Sequence, residues 1–383
     1  MKRKIKILEM VNFSAGICGV WTRVKEESIR LVRKGYDVRV FSSNFIKGSD
    51  KLASLEEQTE GLKITRFPAT KLGGESYMYW KGGERKVLKA LESFKPDLII
   101  SHSYRHTHSV IASKIAKKLG IKSFLVTHAP FANTSRTSLS RWYIQLFHDP
   151  FIGKSTLKRF DKIIAITKWE LPYLSKLGVP KDKIVYIPNG IPEEFFSQKS
   201  AREENKILFL GRISPIKNLE VLIEAISLIK DKKIELEIVG PAEEDYLKKL
   251  KNLISELKLT NRIKFTGPVF NLKEKIAKID SSKIFILPSK REAMPQALIE
   301  SMARRKIVIA SSNPGALDLI SNGKNGFIFE NGNIQDLAEK IDFALSKSHN
   351  DIKKKALESV KQFSWNKVID KLDSIIKKEV RFS

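Results

Sequence analysis

The chain has 383 residues, 42% apolar and 30% charged, with one cysteine, Cys18. That length exceeds what a single core usually serves, so two domains of similar size are expected. One cysteine excludes an intrachain disulfide and points to a reducing, cytoplasmic setting. The net charge of +27 is uneven, with 35 Lys and Arg against 16 Asp and Glu in residues 1–190 and 35 against 27 in the rest. Such a field attracts nucleic acid, anionic lipid or phosphorylated substrates alike, and the Lys/Ile/Glu-rich surface of a heat-adapted protein explains it equally well.

In chain order, I-K-I-L-E-M-V (5–11) reads as a first strand. Lys6 and Glu9 interrupt its apolar run, which argues against a signal peptide, and no stretch is long and apolar enough to span a membrane. The loop N-F-S-A-G-I-C-G follows, then a helix over about 21–34 closed by Gly35, and a strand D-V-R-V-F-S-S (37–43). Further strands are expected at 64–68, 97–103, 123–129, 161–167 and 183–188, mostly separated by helical stretches. The polar, turn-rich segment I-P-N-G-I-P-E-E-F-F-S-Q-K-S-A-R-E-E-N then leads to a restart at K-I-L-F-L-G (206–211), with strands at 234–240, 263–267, 283–288, 306–311 and 326–329. This alternation predicts an α/β protein of two Rossmann-like, doubly wound halves facing across a cleft. The expected divisions are 1–188, 189–362 and a C-terminal helix, 363–383, packing back on the first half. Segments 50–62, 70–83 and 130–150 read as long, functional loops.

The most informative stretch is 289–307, S-K-R-E-A-M-P-Q-A-L-I-E-S-M-A-R-R-K-I. It joins a buried strand to a helix whose first residue is predicted to be Pro295, through a loop holding Glu292, with Glu300 further along the helix. Backbone N–H groups of Met294, Gln296 and Ala297 and the positive end of the helix would face the carboxyl edge of the sheet, where α/β proteins bind phosphorylated ligands. Spacing alone does not single this pair out, since Glu84/Glu92 and Glu235/Glu243 are also eight apart. A solvated helix start is the alternative. After the 206–211 strand, Arg212 and Lys217 are two cations suited to clamp a diphosphate.

With G-R-I-S-P-I-K-N-L-E-V-L-I-E-A, E-I-V-G-P-A, I-K-F-T-G-P-V, the 289–300 loop and N-G-K-N-G-F-I-F in this order, the chain resembles family 4 glycosyltransferases of the GT-B fold. The resemblance implies that Glu292 binds donor-sugar hydroxyls, Glu300 the nucleotide ribose, and Arg212 and Lys217 the leaving diphosphate. It also places the backbone of Ala293, Met294, Pro295 and Gln296 along the phosphate and sugar. Ala293 stands where the family usually has Gly, and Asp318 where a Glu is common.

In the first half, S-A-G-I-C-G-V (14–20) lies between a strand and a helix, where glycines admit close approach of phosphate. It is G-x-x-G, and the second strand ends in Ser42 and Ser43 without the acidic residue that a nicotinamide site needs. By the resemblance, Gly16 and Gly19 close over the donor; a plain tight turn is the other reading. Five of the six histidines lie between 102 and 148. The spacing of His102, His106 and His108 does not place three ligands on one helix face, so no metal site is expected. His128, at the carboxyl end of its strand, is a candidate cleft residue, which the resemblance places beside the anomeric centre, and His102 is a weaker acceptor-site candidate.

Positive charge near the departing oxygen lowers the barrier to glycosyl transfer, and Arg212, Lys217 and a helix N-terminus supply it without a divalent ion. The chain has no D-x-D sequence. The expectation is a metal-independent glycosyltransferase that needs no cofactor beyond its nucleoside-diphosphate-sugar substrate, and the resemblance implies retention of the anomeric configuration. Its acceptor is expected to be a glycan or lipid-linked saccharide, met in the cytoplasm or at an anionic membrane face. A sugar-nucleotide epimerase of the same fold and a basic nucleic-acid-binding protein are the competing readings; no nucleic-acid recognition motif is visible.

Overall fold

The computed structural model describes residues 3–16, 18–71, 78–132, 144–197 and 202–380. Two compact units emerge, one running to Gly190 and regaining the chain from Trp365, the other spanning Ile191–Ser364.

The first unit is built on eight strands: β1 (Lys6–Phe13), β2 (Asp37–Ser43), β3 (Glu56–Thr59), β4 (Leu62–Phe67), and, after a small hairpin of β5 (Ala69–Lys71) and β6 (Met78–Trp80), β7 (Leu98–His102), β8 (Lys122–Val126), β9 (Lys162–Ala165) and β10 (Ile184–Tyr186). The sheet order is β10-β9-β8-β7-β1-β2-β4-β3, parallel except for β3 on β4. Apolar runs such as Leu98–Ile100 and Phe124–Val126 are buried on both faces, as parallel strands covered by helices must be. The helices are α1 (Gly19–Arg33), α2 (Gly83–Glu92), α3 (Thr107–Leu119), α4 (Lys154–Arg159) and α5 (Leu171–Lys176). Strand β3 corrects the loop expected over 50–62. Its exposed E-E-Q-T sequence has no apolar alternation, so only pairing with β4 makes it a strand. The loops expected over 70–83 and 130–150 contain β5, β6 and a wide-turned helix, Ile144–Gly153, while 72–77 and 133–143 lie outside the described residues.

The second unit has six strands: β11 (Lys206–Leu210), β12 (Glu235–Val239), β13 (Ile263–Thr266), β14 (Ile284–Leu287), β15 (Ile307–Ser311) and β16 (Phe327–Phe329). All its pairings are parallel, in the order β13-β12-β11-β14-β15-β16. Helices α6 (Leu219–Leu228), α7 (Glu244–Glu256), α8 (Leu272–Ser281), α9 (Gln296–Ala303), α10 (Pro314–Leu317), α11 (Ile334–Ser346) and α12 (Asn350–Val360) cover it. One apolar core runs from Ile191 to Phe363.

In both sheets the chain first builds outward from a central strand, then crosses back and builds the other way. The reversal falls between β1 and β7 in the first unit and between β11 and β14 in the second. Loops leaving the carboxyl ends of two such strands diverge to opposite faces and leave a crevice, the usual ligand position in open α/β sheets.

A last helix, α13 (Trp365–Val380), returns to the first unit. Trp365 is buried under the Arg30 guanidinium of α1, 5.3 Å from its ring centroid. The Tyr36 hydroxyl donates to Asp373 at 2.6 Å, and Lys34 pairs with Asp370 at 2.8 Å. A buried Trp deleted to Ala costs about 3–5 kcal/mol in lost burial and cavity. Trp365→Ala should therefore lower the stability of the first unit by that scale, read as faster hydrogen exchange of the β1 amides with the second unit's amides unchanged.

Candidate active site

The second unit's reversal point brings together the two loops that sequence analysis singled out. After β11 the chain passes Arg212 and turns through Pro215–Lys217 into α6; after β14 it passes 288–295 into α9. The Lys290 N–H donates to the Ile216 carbonyl at 2.9 Å, tying one loop to the other. The second loop is braced elsewhere as well: the Ser289 carbonyl accepts from Asn313 Nδ2 at 3.2 Å, and the Lys290 carbonyl from Asn331 Nδ2 at 3.0 Å. Gly315 lies against it so closely that a Cβ there would stand 2.8 Å from the carbonyl oxygens of Glu292 and Ala293. No side chain fits at that position.

On this braced loop Glu292 accepts from Lys217 Nζ at 2.6 Å, both side chains being mostly buried. Glu300, one helical turn past the start of α9, is 5% exposed and paired with Lys275 of α8 at 2.6 Å. It is no solvated surface residue. Lys275 carries no sequence signal, because its partner is 25 residues away and neighbouring lysines look the same. Arg212 is exposed at the rim, and Ala293 and Met294 are partly buried. Pro295 is the N-cap rather than the first helical residue, so α9 begins at Gln296. The correction follows from its ψ of 99°, an extended value outside the helical well. Four buried side-chain atoms on these two loops and the first residue of α9, Ser214 Oγ, Ser289 Oγ, Arg291 Nη1 and Gln296 Nε2, have no hydrogen-bond partner among the described residues. Buried polar atoms are normally satisfied, and exceptions beside a reversal of strand order fit a polar ligand.

In the first unit the loop after β1 is held by Arg66, whose Nε donates to Ser14 Oγ at 2.7 Å and Nη2 to the Ser14 carbonyl at 3.2 Å. Gly16 takes φ of 83°, and a Cβ there would stand 2.4 Å from the Lys47 carbonyl, so glycine is required by this turn. Gly19 opens α1 in free space, with no neighbour that demands glycine.

His128 follows β8 in a left-handed conformation, φ 58°, and is partly buried. Its Nε2 lies 3.1 Å from His102 Nδ1, and His102 Nε2 lies 2.7 Å from Glu9 Oε2. His102 is fully buried, which corrects its assignment to an acceptor site: it reaches no solvent and stands behind His128. Burial, joined by the nearby Arg23 charge, lowers the His102 imidazole to about 3 and holds His128 well below the usual range, so both are neutral at physiological pH. Next to His128, Thr127 Oγ1 donates to Glu170 at 2.6 Å; burial pushes that carboxyl up to about 7 against the hydrogen bonds it accepts. His106 and His108 are bound to the two ends of the Asn12 amide, at 2.9 and 3.1 Å. Ligand atoms of Glu9, Glu27 and His102 do lie within 4.8 Å of one another, the spacing of a metal set. A cation is already present there, since Arg23, 2% exposed, donates to Glu27 at 3.1 Å.

Comparison with known proteins agrees with this geometry. Residues 17–195 match the model of glycosyltransferase family 4, and residues 190–363 that of glycosyl transferases group 1. An uncharacterized glycosyltransferase of Methanocaldococcus jannaschii is 26% identical, aligned over 99% of this chain and 100% of its own. The N,N'-diacetylbacillosaminyl-diphospho-undecaprenol alpha-1,3-N-acetylgalactosaminyltransferase of Campylobacter jejuni is 23% identical over 73% of this chain and 76% of its own. Among solved structures, a glycosyltransferase from Rickettsia africae superposes with a TM-score of 0.78 at 23% identity, covering 99% of this chain and all of that one. Anabaena HepE, solved with UDP and glucose, superposes at 0.76 with 17% identity, covering 98% of this chain and all of its own. Two family models that together run from 17 to 363, on two parallel sheets whose reversal points carry the family's loops, show that this chain belongs to the family 4 glycosyltransferases of the GT-B fold, enzymes that transfer a sugar from a nucleotide sugar.

Proposed function

We propose that this glycosyltransferase works with retention and without a metal ion, that its second unit holds a nucleoside-diphosphate sugar, and that its acceptor is a lipid-linked saccharide or similar glycan precursor. The observation that carries the donor assignment is the set of four unsatisfied buried polar atoms on the first residue of α9 and on the loops that also hold Lys217 and Glu292. In this reading Glu300 takes the ribose, Glu292 the sugar hydroxyls, and Arg212 and Lys217 the diphosphate, with the start of α9 adding its partial positive charge. Negative charge grows on the departing diphosphate as the sugar becomes oxocarbenium-like. Fixed cations stabilise that state without a divalent ion. The resemblance assigns the Gly16 turn of the first unit to phosphate and His128 to the sugar being transferred.

The lipid-linked acceptor draws support from the Campylobacter relative, whose name specifies a diphospho-undecaprenol substrate. A feature of the first unit fits the same idea. Leu146, Phe147 and Ile152 are exposed, and Phe151 is 73% exposed. Exposed Lys154 and Lys158 follow them, beside an open depression lined by Lys117, Lys122 and Arg159. Apolar side chains next to a basic cluster suit an anionic lipid surface, where each cation contributes about 1 kcal/mol. No described helix is long and apolar enough to cross a membrane.

Removing Arg212 or Lys217 as Ala should weaken nucleoside-diphosphate binding by about 1.5 to 3 kcal/mol, the scale of a charge-assisted hydrogen bond. Because Lys217 is paired with Glu292, the double substitution Lys217→Ala/Glu292→Ala should cost less than the sum of the singles in a calorimetric cycle. Unchanged affinity in both single variants would remove the clamp. Glu292→Ala should mainly lower kcat and Glu300→Ala mainly raise the donor KM, with nucleoside-diphosphate affinity reduced only by the latter. Equal, small effects of both would return the pair to a structural role. Sedimentation with anionic vesicles, reversed by salt, is expected for the unaltered protein and should be lost in Phe151→Ser/Ile152→Ser; absence of vesicle binding at low salt would favour a soluble acceptor.

A further inference from the structure

Behind His128 lies a group of buried ionisable side chains that the donor loops do not explain. Strand β1 carries Glu9, 0% exposed, with its side chain turned toward α1, from which Arg23 and Glu27 face it at 2% and 0% exposure. From the end of β7 comes His102, also at 0%, and beyond it His128, near His106 and His108. One guanidinium thus serves two carboxylates in a space without solvent. Arg23 is committed to Glu27 at 3.1 Å and, through Nη1, to the Pro188 carbonyl at 2.9 Å and Asn189 Oδ1 at 2.8 Å. A second buried carboxylate without its own cation is costly to ionise, so Glu9 retains its proton. Burial, only partly offset by Arg23, pushes its carboxyl up to about 8.

The proton count then sets the direction of every hydrogen bond in the line. When Glu9 is neutral, its O–H donates to His102 Nε2, His102 Nδ1–H donates to His128 Nε2, and the remaining proton of His128 sits on Nδ1. When Glu9 loses its proton, the carboxylate accepts from His102 Nε2–H, His102 Nδ1 accepts from His128 Nε2–H, and His128 Nδ1 is left as a lone pair. One proton leaves and two imidazoles change tautomer, with neither ring becoming charged. The distances of 2.7 and 3.1 Å allow both arrangements without movement of a heavy atom.

We propose that Glu9 and His102 are positioning residues that set the tautomer of His128, and that the proton on Glu9 decides whether His128 Nδ1 donates or accepts a hydrogen bond. Its bearing on catalysis rests on the reading that His128 contacts the transferred sugar. In the protonated state Nδ1–H is a donor to a sugar oxygen; in the other state that interaction is lost. The consequence is an alkaline limb in kcat that belongs to a buried carboxyl and not to an imidazole.

The test uses the full-length protein labelled with 15N-histidine, with the ring resonances assigned from His102→Gln and His128→Gln, and followed from pH 6 to pH 9.5 (about the range over which Glu9 should titrate). His102 and His128 should invert their tautomers together, with one shared midpoint, and Glu9→Gln should abolish the transition. If the two rings show no inversion in the unaltered protein, or change at separate midpoints, the proposal is overturned; this holds even should Glu9→Gln fail to fold. Where Glu9→Gln folds and the transition persists, Glu9 is not the controlling group and the proposal fails. Turnover over the same range separates the two layers: a shared inversion with an alkaline limb in kcat that Glu9→Gln removes supports both. A shared inversion with kcat flat throughout supports the tautomer coupling and overturns the reading of His128 as a contact of the transferred sugar.

Discussion

The reversal of strand order in each sheet is the constraint on which the site depends. Parallel strands buried on both faces are mostly apolar along their length, so most polar groups gather at the loops of their carboxyl ends. Where neighbouring strands send their loops to opposite faces, those loops part and leave backbone N–H groups and side chains facing an open space. In the second unit this happens between β11 and β14, and the loops at that point hold Arg212, Lys217 and Glu292. In the first unit it happens between β1 and β7, beside the Gly16 turn and His102.

The two units use charge in opposite ways at these points. Around the second unit's crevice, ions are neutralised in pairs, Lys217 with Glu292 and Lys275 with Glu300, each partly accessible. In each pair the lysine keeps some access to solvent and can exchange its partner for an incoming anion, which suits the donor site proposed there. Behind the first unit's crevice the charges are sealed from solvent and outnumber their counterions, with Glu9 and Glu27 sharing Arg23. Ionisation there is governed by desolvation, and the surplus is resolved by retaining a proton. The first arrangement favours exchange of ligands, the second favours control of hydrogen-bond direction.

Low identity with retained topology is consistent with this division. Solved structures at 17–23% identity superpose over nearly the whole chain, because the order of buried strands tolerates many apolar substitutions. The loops at the reversal points sit on that frame, and the exposed Phe151 segment and the histidine cluster both belong to the first unit.

The amino-acid sequence by itself determined the strands buried on both faces, the helix that follows each, and the restart that makes two units, since these follow from local apolar runs and turn residues. It also made Arg212, Lys217, Glu292 and Glu300 legible, because each lies within a few residues of a strand or helix end that positions it. Tertiary structure alone decided what those groups touch. Lys275 on Glu300, Gly315 against the Glu292 carbonyl, and Glu9 behind His102 join residues 23 to 93 positions apart, and no local periodicity encodes such a pairing. The same reason hid β3, which is polar and exposed and becomes a strand only by hydrogen bonding to β4. Glu9 did leave a trace, as the one acidic residue of the central strand, set between Leu8 and Met10. Its partner could not be read there, because burial and a neighbour from β7, supplied by the fold, are what turn that anomaly into a hydrogen-bonded line ending at His128.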